Sequence, residues 1–151
     1  MPSVFVDTNV IIYARDLNAP QKMAAAQAWL KALAPSRAMT ISRQVINETY
    51  FNLAYRPRLK LAPDVARDFV RSLERFVRAP SNGQTLADAW AIEDRYGLRF
   101  WDALLIASAN AAGCAHFLSE DLNDGQIYGD VQAINPFRHA PEDVLGRAPS
   151  R

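Results

Sequence analysis

The sequence predicts a three-layer α/β fold with a mostly parallel central sheet. Short apolar segments rich in β-branched and aromatic residues are typical of buried strands, and longer segments with helical periodicity lie between them. Strands that alternate with helices in this way build a parallel sheet covered by helices on both faces. The length of 151 residues suits one domain, and we find neither an internal repeat nor an interdomain linker.

The composition excludes several classes of function. The formal net charge is only +1, so nucleic-acid binding would require a local basic patch rather than a basic protein surface. A single cysteine, Cys114, allows no internal disulfide, and no Cys/His cluster indicates a zinc site. We see no signal peptide and no apolar run near the roughly 20 residues that span a bilayer. We therefore expect a cytoplasmic protein without a membrane partner.

The N-terminal half begins with a strand that ends at a polar triplet. Val4, Phe5 and Val6 are apolar without alternation, as in a strand covered on both faces. The triplet Asp7-Thr8-Asn9 can bond to nearby backbone groups and therefore favours the end of a strand and the start of a helix. The further elements predicted here are a helix over 9–15, a helix over 21–33 that Pro20 opens, a strand over 38–42 and a helix over 43–55.

The C-terminal half is predicted to contain three helices followed by two strands. The helices cover 62–77, 85–96 and 100–112, and the strands cover 115–119 and 131–134, with a polar turn over 120–125. Trp90 lies on the predicted apolar side of the second helix, and the third is apolar nearly all round, so it should be buried. We expect the domain to cover 1–137 and a flexible tail, rich in Pro, Arg and Ala, to cover 138–151.

Four carboxylates stand beside strand ends or helix starts. Asp7 and Asp121 follow strands, Asp102 lies in the first turn of a helix, and Glu48 lies in the helix that follows the second strand. In a parallel sheet such positions meet at the carboxyl edge, so we expect one cleft to contain all four. Clustered carboxylates repel one another unless a cation lies among them, and oxygen ligands favour Mg²⁺ or Mn²⁺.

Three of these carboxylates, taken alone, also have a purely structural explanation. Asp7 could cap the helix that follows it, and Asp102 could complement the dipole of its own helix. Glu48 could lie at the edge of its helix and bond to the helix surface. The shared position at one sheet edge is what favours a metal site over three unrelated local roles.

A second group of charges is basic. Arg67, Arg71 and Arg75 recur at helical spacing, with Arg78 three residues further on, and we call the first three the basic stripe. Acidic residues on the same helix dilute its charge. Two interpretations stay open: a solvated face with ion pairs inside the helix, or a surface that contacts phosphate groups or a partner.

Taken together, the motifs of the chain resemble those of PIN-domain ribonucleases, and most of all the VapC-type toxins of type II toxin–antitoxin systems. The resemblance spans about Val4 to Phe137. It rests on Val6-Asp7-Thr8-Asn9, Ile46-Asn47-Glu48, the segment 100–109 (FWDALLIASA), the segment 118–125 (LSEDLNDG) and Asn135-Pro136-Phe137.

This resemblance implies an α/β/α PIN-like sandwich that hydrolyses RNA with the help of Mg²⁺ or Mn²⁺. It also implies a homodimer and a small cognate antitoxin protein that blocks the cleft. Two alternatives remain: a PIN-fold module that binds RNA or protein without cleavage, and a PIN nuclease of RNA processing rather than a toxin.

The resemblance also implies roles for individual residues. The metal-binding and catalytic acids would be Asp7, Glu48, Asp102 and Asp121. The fourth position is the most variable in the family, and Glu120 and Asp124 compete with Asp121 for it. The small polar residues beside the metal would be Thr8, Asn9 and Ser119, with Asp124 as a further neighbour.

Overall fold

The computed structural model describes residues 2–146 and confirms the predicted mostly parallel sheet. Its five strands lie in the order β2-β1-β3-β5-β4. β1 pairs in parallel with β2 and β3, β3 pairs in parallel with β5, and only β4 runs antiparallel to its neighbour β5. The strands are β1 (Val4–Val6), β2 (Met39–Thr40), β3 (His116–Leu118), β4 (Ile127–Tyr128) and β5 (Val131–Ile134).

The helices pack in two groups, which confirms the predicted three-layer sandwich. α5 packs with α6, whereas α1 packs with α2 and α3, α3 with α4, and α2 with α7. The helices are α1 (Thr8–Tyr13), α2 (Pro20–Leu33), α3 (Arg43–Tyr55), α4 (Pro63–Leu73), α5 (Gly83–Tyr96), α6 (Phe100–Ala111) and α7 (Pro141–Leu145), with a 3₁₀ turn over Glu74–Phe76. The central strand β1 is completely buried in the main core.

The predicted helix over 62–77 is too long, because its end pairs with the strand region of β2. The α-helix stops at Leu73, the 3₁₀ turn follows, and Val77 is extended. Ile41 N–H donates to Phe76 O at 2.9 Å, and Arg78 N–H donates to Ile41 O at 3.2 Å. Hydrogen bonds to a distant strand thus override the local helical pattern.

Strand β4 was absent from the prediction. It has only two residues, and Ile127 is exposed, so no apolar run marks it. The β4–β5 turn contains Gly129 at φ 67°, and a Cβ at this position would come within 2.7 Å of Asn110 Oδ1. This turn needs glycine both for its backbone conformation and for the close approach of α6.

The prediction that Trp90 faces the core is wrong. Its side chain is 52% exposed, and the buried face of α5 contains Thr85 and Ala89 instead. Ala89 packs against Ala103 and Ala107 of α6. Because three alanines let the two helices approach closely, the bulky indole lies outside their contact. α6 is largely buried as predicted, although Trp101 at its start is exposed.

The residues after Phe137 are attached to the domain as far as Gly146. Trp29 Nε1 donates to His139 O at 2.9 Å, and Val144 and Leu145 of α7 pack against the main core. The predicted flexible tail therefore contains a packed helix, while residues 147–151 lie outside the described part of the chain. The domain boundary at residue 137 stays a prediction. None of the helices described in 2–146 is long and apolar enough to cross a membrane.

Candidate active site and metal centre

Asp7 lies at the carboxyl edge of the sheet, as predicted. The parallel register of β1 and β3 pairs Val6 with Leu118, so the next residue of each strand, Asp7 and Ser119, meet just beyond it. Ser119 Oγ donates to Asp7 Oδ2 at 2.8 Å. Thr8 N–H donates to Asp7 Oδ1 at 2.7 Å, which makes Asp7 the N-cap of α1 as well. The two interpretations of Asp7, helix cap and site residue, are compatible in one geometry.

Asp121 is joined to Asp7 through Asn9. Asn9 Nδ2 donates to Asp121 Oδ2 at 2.9 Å and lies 3.4 Å from Asp7 Oδ2. Asp121 N–H donates to Ser119 Oγ at 3.1 Å. Small polar side chains after β1 and β3 therefore fix the spacing of two carboxylates that would otherwise repel each other.

Glu48 reaches the same place from α3, which packs against α1. Thr8 Oγ1 donates to Glu48 Oε2 at 2.8 Å, and Gln44 Nε2 donates to Glu48 Oε1 at 2.7 Å. Both carboxylate oxygens are therefore bonded to neutral donors, and Thr8 links Glu48 to the end of β1.

Asp102 completes the group from the first turn of α6. Its partner is Arg99, one turn earlier, whose guanidinium lies 3.3 Å from Asp102 Oδ2. Gln44 Nε2 also lies 3.4 Å from Trp101 O, so a single side chain of α3 contacts both Glu48 and the start of α6.

The four carboxylates line one open cleft of about 420 Å³. Its further charged residues are Asp16, Arg58 and Arg99, and its walls include Ile12, Tyr13, Asn52, Leu59 and Trp101. Four separate elements of the chain contribute the acids, which is the convergence that the sequence predicts.

The cleft is electrostatically unfavourable for its own acids. Burial raises the pKa of Asp7 to about 7, against the lowering effect of the hydrogen bonds from Ser119 and Thr8, and the charges of Asp121 and Asp102 raise it further. Burial also raises the pKa of Asp102, and Arg99 only partly offsets this effect. Among residues 2–146, no Lys, Arg or His forms an ion pair with Asp7, Glu48 or Asp121. A cation in the cleft would relieve this repulsion.

The donor chemistry of the cleft fits a hard divalent ion. The four converging acids offer carboxylate oxygens, and Asn9 Oδ1 is buried with no hydrogen-bond partner in the described structure. No three acidic, histidine or cysteine side chains within 2–146 are already clustered closely enough to form a complete ligand set. Bonds from Ser119, Asn9 and Thr8 hold the carboxylates apart, so metal ligation requires side-chain adjustment around a common open space.

Comparison with known proteins agrees with this geometry. A family model described as the PIN domain matches residues 4–126. The chain belongs to the PIN domain family. No curated protein sequence matches significantly.

Among solved structures, this PIN domain is similar to Mycobacterium tuberculosis VapC20, which is described as a sarcin–ricin loop cleaving toxin. The two chains are 20% identical and superpose with a TM-score of 0.58, over 86% of this chain and 99% of that one. At this level of identity, the likeness establishes a common fold.

Of the three acids that competed for the fourth position, only Asp121 lines the cleft of this PIN domain. Glu120 forms an ion pair with Lys22 of α2. Asp124, predicted to lie beside the metal, accepts hydrogen bonds from Asn135 N–H at 2.8 Å and contacts His139 Nε2 at 2.6 Å. These partners keep the pKa of Asp124 below its usual value, although burial opposes them. The structure therefore places Asp124 outside the cleft, which corrects that part of the prediction.

The basic stripe also lies outside the cleft. Arg67 Nε donates to Tyr50 Oη at 3.3 Å, Arg71 pairs with Asp68 one turn away, and the Arg75 guanidinium lies 4.6 Å from the centre of the Phe76 ring. All three side chains are exposed. Their contacts favour the interpretation as a solvated helix face.

Sequence reasoning missed several polar residues in or beside the cleft, among them Gln44, Arg58 and Asp16. Gln44 bonds to Glu48, and Arg58 forms an ion pair with Asp16. Gln44 lies four residues before Glu48 on the same helix, so the spacing was visible in the sequence. The Arg58–Asp16 pair joins residues 42 positions apart, and no local pattern indicates it.

Proposed function

We propose that this PIN domain is a divalent-metal-dependent endoribonuclease that acts as the toxin of a toxin–antitoxin pair. One observation carries the proposal: four carboxylates from four elements of a PIN fold line a single cleft, and three of them have no cationic partner in residues 2–146. Such a cleft disfavours its own ionised state without a metal, and a polyanionic substrate could not approach it.

Asp7 and Asp102 would be the principal ligands of Mg²⁺ or Mn²⁺, and Glu48 and Asp121 would complete the ligand set or position the attacking water. When bound, the ion would polarise a phosphoryl oxygen and lower the pKa of bound water. Water oxygen would bond to phosphorus while the bond from phosphorus to the 3′ oxygen breaks, and the 3′ oxygen would gain a proton as the attacking water loses one. The products would carry a 5′-phosphate and a 3′-hydroxyl.

The neutral partners of the acids orient the site. Ser119 and the Thr8 N–H hold Asp7, and Thr8 Oγ1 and Gln44 hold Glu48. These bonds orient the carboxylates of Asp7 and Glu48, as outer-shell contacts do in metal enzymes, and would direct them as they adjust to the ion.

The toxin role rests on the likeness to VapC20, which is described as a sarcin–ricin loop cleaving toxin. By analogy, we propose an RNA substrate, a cognate antitoxin that covers the cleft, a homodimer, and action in the cytoplasm. Sedimentation of the purified protein measures the dimer directly.

The test is cleavage of total cellular RNA by purified protein, with ends mapped at nucleotide resolution. We expect cleavage in Mg²⁺ or Mn²⁺, none in EDTA, and a loss of at least about 100-fold in Asp102→Asn, because metal catalysis contributes several kcal/mol to the rate. Asp94→Asn, an exposed acid of α5, is the matched control and should cut like wild type. Wild-type protein that binds RNA without cutting it under any of these conditions would support the binding module instead.

A cellular assay separates a toxin from an RNA-processing nuclease. Expression of the wild type without an antitoxin should arrest growth, whereas Asp102→Asn should not. A nuclease that cuts RNA in vitro but leaves growth unchanged would favour RNA processing.

A further inference from the structure

Arg58 lines the acidic cleft, and a buried carboxylate holds it there. Arg58 lies in the loop between α3 and α4, and its Nη2 donates to Asp16 Oδ2 at 2.6 Å. The Asp16 side chain is only 4% exposed, whereas that of Arg58 is 57% exposed. One partner is therefore fixed inside the protein, and the other extends into the open cleft.

Asp16 is fixed by the turn that follows α1. Its N–H donates to Tyr13 O at 3.1 Å, and its Oδ1 accepts from Asn18 N–H at 3.0 Å, so Oδ2 is the oxygen left for Arg58. A buried carboxylate is costly without a charged partner. This arrangement favours one position of the Arg58 guanidinium.

The loop that carries Arg58 is also held in place. Lys60 N–H donates to Arg56 O at 2.9 Å, and Leu61 N–H donates to Leu53 O at 2.8 Å. Leu59, the neighbour of Arg58, packs on the small apolar cluster that α3 and α4 form. Arg58 is thus presented by an ordered turn.

The two arginines of the cleft differ in how many of their N–H donors already have a partner. Arg99 directs Nε and Nη2 at one oxygen of Asp102. Arg58 has no polar partner in residues 2–146 other than Asp16, which it contacts through one nitrogen. Arg58 lines the cleft that holds the four acids, and its remaining N–H donors have no polar partner in residues 2–146. A guanidinium of this kind binds phosphate oxygens well.

We propose that Arg58 binds an RNA phosphate next to the scissile one and that Asp16 is its positioning residue. Asp7 lies just before α1 and Asp16 just after it, and the six residues of α1 span about 9 Å. Arg58 therefore contacts the backbone to one side of the acids and fixes the path of a single strand through the cleft. This inference rests on the proposed ribonuclease function.

The same loop supplies matched controls. Arg56 and Lys60 flank Arg58, and both are exposed and lie outside the lining of the cleft. Substitution of either residue by glutamine removes one positive charge from the loop, as Arg58→Gln does, but leaves the cleft unchanged.

The test is steady-state cleavage of a labelled single-stranded RNA in Mg²⁺ at several salt concentrations. We expect Arg58→Gln to raise KM about tenfold with kcat within about twofold of wild type, as expected for a lost charge-assisted bond. The slope of log(kcat/KM) against log salt should become shallower by about 0.7, which corresponds to one phosphate contact. Arg56→Gln and Lys60→Gln should leave both quantities near the wild-type values.

A double-mutant cycle tests the positioning role of Asp16. Asp16→Asn should raise KM in the wild-type background and have little further effect in Arg58→Gln, because both changes disrupt the same contact. Thermal melts of all four proteins identify variants that fail to fold, and the Arg58→Gln kinetics decide the proposal independently of Asp16→Asn.

Two results would overturn the inference without touching the nuclease proposal. If wild type cuts RNA but Arg58→Gln matches Arg56→Gln in KM and salt slope, the ion pair only stabilises the fold. If Arg58→Gln lowers kcat at unchanged KM, Arg58 acts in the chemical step instead. Wild type that cuts no RNA in Mg²⁺ or Mn²⁺ refutes the nuclease proposal itself.

Discussion

The acidic cleft and the basic stripe differ in how far their charged side chains are buried and paired. The cleft gathers Asp7, Glu48, Asp102 and Asp121 from four distant parts of the chain and buries Asp7 almost completely. The basic stripe places its arginines on the exposed side of α4 and of the 3₁₀ turn that follows it, and Arg71 pairs with its neighbour Asp68. Only the cleft stores unfavourable electrostatic energy that a ligand could release.

The difference shows that the density of charge along a sequence does not indicate where charged side chains converge in the fold. The stripe has the more obvious spacing, yet each of its contacts is local or exposed. No acid of the cleft is distinctive by itself in the sequence. They become a candidate site because the fold brings them together and buries Asp7. Burial raises the pKa of Asp7 to about 7 and also raises the pKa of Asp102, which makes the cleft the better candidate for a functional site.

The largest effect expected within the cleft, after loss of Asp102, concerns the fourth acid. Asp121→Asn should reduce RNA cleavage about tenfold or more, because it removes a carboxylate from the cleft. Asp124→Asn and Glu120→Gln should stay within about twofold of wild type, since these residues bond to His139 and Lys22 instead. A loss of activity in Asp124→Asn larger than in Asp121→Asn would reverse the assignment.

The burial of the Asp7 carboxylate should also affect the pH dependence of stability, which can be measured without RNA. Because the pKa of Asp7 rises to about 7 on folding, from 3.8, the folded state holds an extra proton between these values. The metal-free protein therefore loses stability as pH increases from about 4 to 7, by roughly 1.4 kcal/mol for each pKa unit. Asp7→Asn has no such proton to lose.

The measurement is the melting temperature of metal-free wild type and Asp7→Asn from pH 5 to pH 8. We expect the melting temperature of Asp7→Asn to increase relative to that of wild type as the pH rises. Addition of Mg²⁺ at pH 8 should stabilise the wild type only. If the melting temperature of Asp7→Asn minus that of wild type is constant with pH, or decreases towards pH 8, folding does not destabilise the Asp7 carboxylate.

The smallest effect is expected at the basic stripe. The triple variant Arg67→Gln, Arg71→Gln, Arg75→Gln should change KM for RNA by less than about twofold and the free energy of unfolding by less than about 1 kcal/mol, because exposed pairs contribute little. The assay is the cleavage assay used for Arg58. A tenfold rise in KM would show that RNA contacts the basic stripe and would contradict its interpretation as a solvated helix face.

The sequence predicts those parts of the site that depend on local structure. Asp7 and Ser119 follow adjacent parallel strands, so their meeting is a consequence of sheet geometry, and the end of a strand is visible in the sequence. The helix over 100–112 and the position of Asp102 in its first turn also follow from local pattern.

The rest depends on contacts that no local pattern encodes. The choice of Asp121 over Glu120 and Asp124 depends on distant partners, Lys22 and His139, in α2 and beyond β5. The Arg58–Asp16 pair forms between two loops, and β4 has only two residues with an exposed isoleucine. Tertiary pairing decides each of these features, so propensity and periodicity could not.

The central claim is that the acids of the cleft bind a divalent cation, and calorimetric titration of the purified protein with Mn²⁺ tests it most directly. Wild type and the control Asp94→Asn should bind Mn²⁺ at millimolar concentrations or below, and Asp7→Asn should bind much more weakly, since it removes a buried carboxylate ligand. Equal binding by wild type and Asp7→Asn, or no binding by folded wild type, would contradict the claim.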